Sequence, residues 1–432
     1  MNVMIVGGGG REHAILEKLR ENPRISKIYA LPGNGGMAAH AECVPIKATD
    51  IDAIVAFAIE HRIDFAVIGP DDPLIAGVCD RLRMVGVRCF GPSKAAAAIE
   101  GSKSFAKNLM RKYGIPTADY AVFDRATEAY AYLAGANYPC VIKADGPALG
   151  KGVVITNTPE EAFQAVRAMM EEGVFGTSGS RVVVEEFLIG NEVSVLAFTD
   201  GETLIPMISA LDHKRALDGD KGLNTGGMGA LAPNPYYKLE LARTCMELIF
   251  LPTIHAMKAE SRLFSGCLFF GLMLTKHGPK VIEYNCRFGD PETQAVLPLL
   301  ETDLLEIMLA VEDGRLAEMP VRFRGGSACC VVLASDGYPG VYQTGYEISL
   351  GDSARAENVF VYHAGTKLEQ DRLVTSGGRV LGVTAVGADA RAARYAAYAV
   401  ADRIHFERAY CRRDIGARAI ATAEQGEQKI DG

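Results

Sequence analysis

Cysteine is scarce in this 432-residue sequence, which contains ten scattered cysteines and no C-x-x-C pair. A disulfide scaffold is excluded, because such scaffolds need a much higher cysteine density, and we expect reduced thiols. The eight histidines form no H-E-x-x-H motif. Neither a structural zinc site nor zinc-dependent protease chemistry is therefore predicted.

An excess of positive charge is also missing, since 45 Lys and Arg residues face 53 Asp and Glu residues and the net charge is −8. No global field would attract nucleic acid or an anionic membrane. No run of 18 mainly apolar residues occurs, and the first residues lack the basic and apolar regions of a secretory signal. We therefore expect a cytoplasmic protein with no nucleic-acid or membrane partner, in which a local basic pocket can still hold a small anion.

The first hundred residues alternate short apolar runs with amphipathic stretches, starting with a run at 3–6 and a stretch at 12–21. This alternation predicts a Rossmann-like parallel sheet with helices on both faces. Ligands of such sheets bind at the carboxyl ends of the strands, where the glycine-rich loops at 7–10 and 33–36 fall. A single helix is predicted at 95–113, with a domain boundary near 102.

The rest of the chain mixes strands and helices. A small α+β lobe is predicted first, in which β-rich segments surround one helix at 159–172. A central domain follows from Asn191, and a third domain begins with a new run of strands at Ser327. The predicted fold class is α/β and α+β multidomain, with domains at 1–102, 103–322 and 323–425, and with a mobile lobe at about 116–187.

The loop at 7–13, GGGGREH, does not fit a dinucleotide-binding fingerprint. The third small residue of that fingerprint would fall on Glu12 or His13, and the second strand ends in LPGN without an acidic residue for a ribose hydroxyl. A glycine loop at a helix N-terminus can still hold the phosphate of a smaller ligand through its backbone N–H groups. An ordinary tight turn is the alternative.

The segment at 141–152, VIKADGPALGKG, contains two lysines between predicted strands. It is not a Walker A motif, because one residue is missing between the glycines and Gly152 follows the lysine. A β-hairpin flap whose lysines bind a triphosphate fits better, since such a flap can exclude water during phosphoryl transfer. A surface hairpin with solvated lysines is the alternative.

The segment at 280–292, KVIEYNCRFGDPE, predicts a strand with a metal site. Strand side chains alternate, so Glu283 and Asn285 face one side as oxygen ligands suited to Mg²⁺, and Arg287 continues that face. An anion-binding arginine beside a metal pair indicates phosphoryl transfer. A solvated edge strand is the alternative.

Three further segments, at 184–192, 212–215 and 224–229, carry charged or glycine-rich runs that are weak signals singly. Together with the motifs above they resemble the phosphoribosylamine–glycine ligase family of the ATP-grasp superfamily. The resemblance spans almost the whole chain through nine segments: GGGGREHA, PGNGG, EGSK, IKADG, GKG, DHKR, NTGGMGA, EYNCRFGDPE and YCRRDIGARA. It implies a pre-ATP-grasp N-terminal domain, an ATP-grasp fold with a mobile lobe, and an α+β C-terminal domain.

The resemblance also implies a reaction. ATP phosphorylates the carboxylate of glycine, and the amine of 5-phosphoribosylamine attacks the glycyl phosphate to give glycinamide ribonucleotide in purine synthesis. Mg²⁺ or Mn²⁺ assists, no nucleophilic side chain is required, and a monomer is expected. Two alternatives stay open: an ATP-grasp ligase or carboxylase with another substrate, and a regulator that binds ATP without turnover.

By motif position the resemblance implies the following roles. Phosphate binding and flap closure fall to Lys103, Lys143, Gly150, Lys151 and Gly152. Adenine and ribose recognition falls to Glu185, Glu186, Phe187, Leu188 and Glu192. Metal binding falls to Glu283 and Asn285. Catalytic and substrate contacts fall to Asp212, Lys214, Arg287 and Asp290, and phosphoribosylamine binding falls also to Gly9, Gly10, Asn34 and Asp71.

Overall fold

A computed structural model describes residues 1–148, 152–352 and 357–424. Two residues of the predicted flap, Gly150 and Lys151, lie outside the described residues. Within the described ranges, no helix has both the length and the apolar character that are needed to cross a membrane.

A parallel sheet forms the N-terminal part, as predicted. Its elements are β1 (Asn2–Gly7), α1 (Gly10–Leu19), β2 (Lys27–Pro32), β3 (Glu42–Cys43), α2 (Ile51–Glu60), β4 (Phe65–Ile68), α3 (Asp71–Ala76), α4 (Val78–Met84), β5 (Arg88–Phe90) and α5 (Lys94–Gly101). The strand order is β3-β2-β1-β4-β5, with Val3 opposite Ile28 on one side and Phe65 on the other. The central strands are buried on both faces, which explains their continuous apolar runs.

The predicted single helix at 95–113 is wrong, because the chain breaks at Ser102. Ser102 has extended backbone angles and separates α5 from α6 (Lys103–Tyr113). Its hydroxyl accepts a hydrogen bond from the Phe105 N–H at 3.2 Å, which caps the new helix. The break places Lys103 at the first position of α6, next to the strands that follow.

A small antiparallel sheet comes next, with its own core. Its elements are β6 (Tyr120–Phe123), α7 (Ala126–Leu133), β7 (Cys140–Ala144), β8 (Val153–Thr156), α8 (Pro159–Val166) and β9 (Val182–Glu186), in the strand order β6-β9-β7-β8. One helix was predicted here and two are present. The missed helix, α7, begins at Ala126, and the side chain of the preceding Arg125 does not cap it, so the sequence carries no start signal for it.

The central part is built on a second antiparallel sheet, β11-β10-β16-β17. Its elements are β10 (Asn191–Thr199), β11 (Leu204–Pro206), β12 (Leu211–Asp212), β13 (Arg215–Leu217), β14 (Lys221–Asn224), β15 (Gly229–Ala232), α9 (Leu239–Cys245), α10 (Leu251–Ala259), β16 (Gly266–Thr275), β17 (Gly278–Asn285), α11 (Glu292–Val296) and α12 (Leu304–Glu312). A π-helical stretch at Met246–Phe250 joins α9 to α10, so the three form one continuous helical segment.

The C-terminal part shares its main sheet with two strands of the central part. Its elements are β18 (Ser327–Ser335), β19 (Val359–His363), β20 (Thr366–Glu369), β21 (Arg372–Thr375), β22 (Arg379–Gly387), α13 (Ala390–Ala401), β23 (Ala409–Tyr410) and α14 (Ala417–Glu424). The sheet runs β12-β15-β18-β22-β19, and Gly229 of β15 pairs with Val331 of β18. Two strands of the predicted central domain therefore belong to the C-terminal sheet, and they position the loops between them.

Three phenylalanines join the parallel sheet to the central sheet. Phe90, Phe198 and Phe288 lie with ring centroids 5.9 to 6.4 Å apart, and all three are buried. Aromatic pairs at such spacings contribute about 0.5–1.5 kcal/mol each beyond the area they bury. Because Phe288 is held in this cluster, the neighbouring Arg287 of the candidate site is held in place as well.

Candidate active site

Two of the predicted phosphate-binding lysines lie close together. Lys103, at the start of α6, donates to the Gly146 carbonyl at 3.1 Å, and Lys143, on β7, donates to the Ile282 carbonyl at 3.1 Å. Burial and then the positive charge of Lys143 lower the pKa of Lys103 below its usual value. Two ammonium groups that repel each other favour the binding of a polyanion between them.

Glu283 and Asn285 lie at the end of β17, at the edge of the central sheet. The ammonium of Lys214 lies 3.0 Å from Glu283 Oε1 and is the main cause that lowers the pKa of Glu283 to about 2. The amide nitrogen of Asn285 donates to Glu100 Oε1 at 2.9 Å, so its oxygen is left for another partner. Glu283 therefore carries a charge at neutral pH beside an amide oxygen.

This donor pair fits a divalent cation of the magnesium type. Among the described residues no cluster of three or more His, Cys, Asp or Glu side chains has the geometry to hold a metal alone. Mg²⁺ commonly takes only one or two protein oxygens and completes its shell with substrate phosphates and water. The lysines near Glu283 would hold those phosphates, so the residues present fit such an ion.

Glu100 is a buried carboxylate that organises this edge and that the sequence analysis missed. It accepts hydrogen bonds from the Cys286 N–H at 2.7 Å and from Asn285, and it pairs with Arg287 at 3.0 Å. Burial raises its pKa. Its only signal in the sequence was its place in the EGSK segment, where Lys103 alone received a role.

Arg287 links the parallel sheet to the central sheet. Its guanidinium lies 3.6 Å from the carboxylate of Asp71, at the start of α3, as well as beside Glu100. The structure thus brings Asp71 and Arg287 together across 216 sequence positions. Two carboxylates hold one arginine in place at the mouth of the site.

Asp212 ends β12, at the edge of the C-terminal sheet, and Lys214 lies between β12 and β13. Lys214 is 3.5 Å from Glu192 as well as 3.0 Å from Glu283. Burial and then the carboxylate of Glu292 raise the pKa of Asp212 well above its usual value. Glu292 was missed in the sequence analysis, although it ends the EYNCRFGDPE segment; it is buried and accepts from the Ser194 hydroxyl at 3.0 Å.

A cleft of about 420 Å³ lies where the glycine loop meets the C-terminal sheet. It is lined by Gly8, Gly9, Pro32, Gly33, Asn34, Asp290, Ala364, Gly365, Thr366, Ser376 and Arg379. Arg379, which begins β22, lies 3.3 Å from the Asp290 carboxylate. Burial alone would raise the pKa of Asp290, but Arg379 and Arg11 lower it overall. No motif around Arg379 indicates that it lines this cleft, so the sequence did not identify it as a site residue.

In the glycine loop at 7–10, the backbone N–H of Gly9 is already bonded within the protein. The Gly9 N–H donates to Glu12 Oε2 at 2.7 Å, and Glu12, itself 1% exposed, is paired with Arg11 at 2.7 Å. The protein's own carboxylate therefore takes the place predicted for a phosphate at this N–H. Gly10 begins α1, and a Cβ there would lie 2.6 Å from Gln294 Nε2. Contacts of Gly9 and Gly10 with a substrate stay predictions.

Asn34 lines the cleft, but its side chain is fully engaged within the protein. Its amide nitrogen donates to the carbonyls of Gly8 at 3.0 Å and His363 at 2.8 Å. Its oxygen accepts from the N–H groups of Gly36 and Met37, each at 3.0 Å. All four hydrogen-bonding positions of the amide are occupied. Asn34 therefore shapes the loop, and its side chain is not available to a ligand.

The predicted adenine segment divides into two groups. Glu185 is buried, and its carboxylate lies 2.8 Å from Lys107 and 3.0 Å from Lys143, so this side chain is a counterion and is not available to a base edge. Glu186 is exposed and pairs with Lys280 at 3.1 Å. Phe187 and Leu188 are half-buried between β9 and β10, and Glu192 is exposed on β10. Gly152 is buried against Ala144 and Ala148.

Comparisons with known proteins agree with this geometry. The chain matches the N domain of phosphoribosylglycinamide synthetase over residues 1–100, its ATP-grasp (A) domain over 101–293 and its C domain over 328–418. It is similar to the biotin carboxylase of Campylobacter jejuni, with a TM-score of 0.74 over 98% of this chain and 95% of that one, at an identity of 16% that shows the fold alone. The fold is therefore that of an ATP-grasp protein.

Relatives with higher sequence identity identify the family within the ATP-grasp class. The phosphoribosylamine–glycine ligase of Caldanaerobacter subterraneus subsp. tengcongensis is 48% identical over 96% of this chain and 100% of its own length. That of Halalkalibacterium halodurans is 48% identical over 98% of both chains. The crystal structure of phosphoribosylamine–glycine ligase from Thermotoga maritima has a TM-score of 0.85 at 34% identity, covering 96% of this chain and 100% of that one. The chain belongs to the phosphoribosylglycinamide synthetase family.

Proposed function

We propose that this protein is an ATP-dependent ligase that joins glycine to 5-phosphoribosylamine and yields glycinamide ribonucleotide, ADP and phosphate for purine synthesis. The observation that carries this proposal is the edge of β17, where Glu283 and Asn285 face a group of lysines. Family membership supports the substrate pair. A carboxylate is a poor acyl donor until one oxygen becomes a phosphate leaving group, so ATP chemistry and amide formation belong together.

The reaction has two steps. A glycine carboxylate oxygen attacks the γ-phosphorus of ATP, and the bond to the bridging oxygen breaks to release ADP. The amine of phosphoribosylamine then attacks the acyl carbon, loses a proton and expels phosphate. Lys103 and Lys143 hold the ATP phosphates, and Lys214 and Arg287 stabilise the negative charge that develops. The raised pKa of Asp212 suits this carboxylate to accept a proton.

Mg²⁺ or Mn²⁺ is the cation that we assign to Glu283 and Asn285, where it would neutralise phosphate charge when bound. Asn285 is oriented for this role by Glu100, which accepts a hydrogen bond from the Asn285 amide nitrogen at 2.9 Å. Glu283 is already ionised at neutral pH, because Lys214 lowers its pKa to about 2. The site therefore needs no deprotonation before a cation binds.

Glycine and phosphoribosylamine occupy adjoining spaces in this proposal. Asp212 and Glu292 repel each other when both are ionised, and the ammonium group of a glycine bound beside them would relieve this repulsion. The cleft beside Asp290 and Arg379 receives phosphoribosylamine, with Gly9 in its wall. Asp71 contributes by holding Arg287 at the junction of the two spaces.

We further propose that the enzyme acts as a monomer in the cytoplasm. All ten cysteines are free thiols, and eight of them are buried, which suits a reducing compartment. The adenine would lie against the half-buried segment of Phe187 and Leu188, with Glu192 near the ribose.

Phosphate release from ATP by the purified protein tests the proposal. With Mg²⁺, glycine and freshly generated phosphoribosylamine present, release should occur, and the product mass should match glycinamide ribonucleotide. Omitting either substrate should abolish it. Release with a different carboxylic acid would reassign the substrate, and absence of release would favour the ATP-binding regulator. The variant Glu283→Ala should lose turnover; if turnover were unchanged, the metal assignment would be wrong.

A further inference from the structure

The segment at 412–416, Arg-Arg-Asp-Ile-Gly, lies against the residues on both sides of Lys214, which joins β12 to β13. It belongs to the last of the nine sequence motifs and has no role in the proposed chemistry. Arg412 is 2% exposed, and its guanidinium donates to the Arg215 carbonyl at 3.1 Å. The same guanidinium binds Asp414 through two bonds of 2.7 and 2.8 Å. A buried, two-pronged arginine therefore holds the residue that directly follows Lys214.

The residue before Lys214 is held by the same segment. His213 accepts a hydrogen bond from the Gly416 N–H at its Nε2, at 3.0 Å, while its Nδ1 lies 3.3 Å from the Gly229 carbonyl. Burial and then Arg412 lower the pKa of His213 to about 4, so the ring is neutral at neutral pH. The two contacts are compatible with one tautomer, in which Nδ1 carries the proton.

The turn beyond Lys214 is attached in a third way. Asp414 accepts from the Gly219 N–H at 2.8 Å, and Asp218 accepts from the Arg413 N–H at 2.7 Å. Arg412 also pairs with Asp220 at 2.9 Å. The hairpin that follows Lys214 is therefore bonded at several points to a segment nearly two hundred residues later in the chain.

We propose that the segment at 412–416 is a positioning latch for Lys214. Successive side chains of an extended chain point in opposite directions, so His213 faces the latch while Lys214 faces Glu283. A lysine has a long flexible side chain, and only a fixed backbone on both sides keeps its ammonium between Glu283 and Glu192. The inference rests on the proposed function, in which Lys214 stabilises the charge of the transferring phosphoryl group.

The variant Arg412→Met tests the latch, and Arg413→Met is its matched control. Arg413 is the adjacent arginine, but its guanidinium pairs with the surface residue Asp402, at 2.5 Å, and lies over Tyr398. Both variants lose one positive charge, but only Arg412→Met loses the hydrogen bonds to the Arg215 carbonyl and to Asp414. A misplacement of about 1 Å costs about a hundredfold in rate, so kcat should fall about 10- to 100-fold in Arg412→Met, with a higher KM for glycine. In Arg413→Met both constants should stay within about twofold.

Two further readouts separate positioning from a general loss of structure. Binding of a non-hydrolysable ATP analogue to Arg412→Met should match wild type, and labelling of Lys214 by an amine-reactive reagent, followed by peptide mass spectrometry, should become faster. His213→Gln, which keeps an acceptor for Gly416, should retain more of kcat than His213→Phe does.

The latch is refuted if Arg412→Met keeps wild-type kcat and glycine KM with unchanged Lys214 labelling. It is refuted equally if Arg412→Met and His213→Phe lose analogue binding together with activity, since that pattern shows a general structural role. Failure of the proposed function would look different. Wild type itself would then show no glycine-dependent phosphate release, whereas the labelling comparison would still report on the latch.

Discussion

Glu185 and two lysines form a buried charged triad whose response to mutation can be worked out in advance. Glu185 lies 2.8 Å from Lys107 and 3.0 Å from Lys143, and all three side chains are at most 6% exposed. Lys107 also donates to the Thr117 hydroxyl at 2.8 Å. One carboxylate thus balances two ammonium groups, and the three members are not equivalent.

Removing the carboxylate should be far more costly than removing Lys107. Glu185→Gln leaves two buried ammonium groups without a counterion, and breaking a buried ion pair in this way costs about 3–5 kcal/mol. Lys107→Met leaves Glu185 paired with Lys143. Burial outweighs the attraction of Glu185 and lowers the pKa of Lys107 from 10.5 to about 8. The charge of Lys107 is therefore unfavourable on balance, and Lys107→Met should differ from wild type by about 1 kcal/mol or less.

The pH dependence provides a second signature. The unfolded chain binds a proton at Lys107 with a pKa near 10.5, and the folded chain binds it only below about 8. Between these values the unfolded state holds more protons, so stability should rise as the pH increases from about 8 to 10.5. Lys107→Met should lack this part of the rise. Glu185→Gln should destabilise at every pH in that window.

Hydrogen exchange of peptides from β7 and β9 is the suitable assay, because a chain of several domains need not unfold in one step. The local opening free energy is measured for wild type, Lys107→Met and Glu185→Gln at pH 7 and across the alkaline window. Equal costs for the two variants, or a cost below about 1 kcal/mol for Glu185→Gln, would refute the shared-counterion reasoning. Persistence of the whole alkaline rise in Lys107→Met would refute the assignment of the titrating group.

Three other predictions concern the site and its frame. Glu283→Gln should lower glycine-dependent phosphate release by about a hundredfold or more, since the charged donor of the cation pair is lost. Arg379→Met should raise the KM for phosphoribosylamine about tenfold and leave the KM for ATP within about twofold in steady-state kinetics, because Arg379 lines the cleft beside Asp290 and bonds to none of the residues assigned to ATP. Gly69→Ala would place a Cβ 2.0 Å from the buried Glu12 Oε1 and should cost about 1–3 kcal/mol in denaturant unfolding, whereas Gly135→Ala, with nothing within 4 Å, should be nearly neutral.

The features predicted from sequence were those that a local pattern determines. The parallel sheet was predicted because its strands are short, continuous apolar runs such as β1 and β4. The closeness of Glu283 and Asn285 followed from the alternation of side chains along one strand. Helix breaks were harder, because the single residue Ser102 interrupts a run that is otherwise helical in composition.

Features that depend on distant segments were not predictable from this one sequence. Glu100 binds Asn285 across 185 positions, and Arg379 reaches Asp290 across 89. No periodicity within either segment reveals the other partner. The glycine loop shows the same difficulty in reverse, because its pattern indicated an anion at the helix N-terminus, and the anion at Gly9 is the chain's own Glu12.

The pairing of β15 with β18 affects how the chain folds while it is being synthesised. Gly229 leaves the ribosome about a hundred residues before its partner Val331, and such distant pairings form late in folding. Until then β15 is an open strand edge, which can pair with other chains. A chain that stops before Ser327 would keep that edge permanently, so truncation should produce aggregation as well as loss of activity.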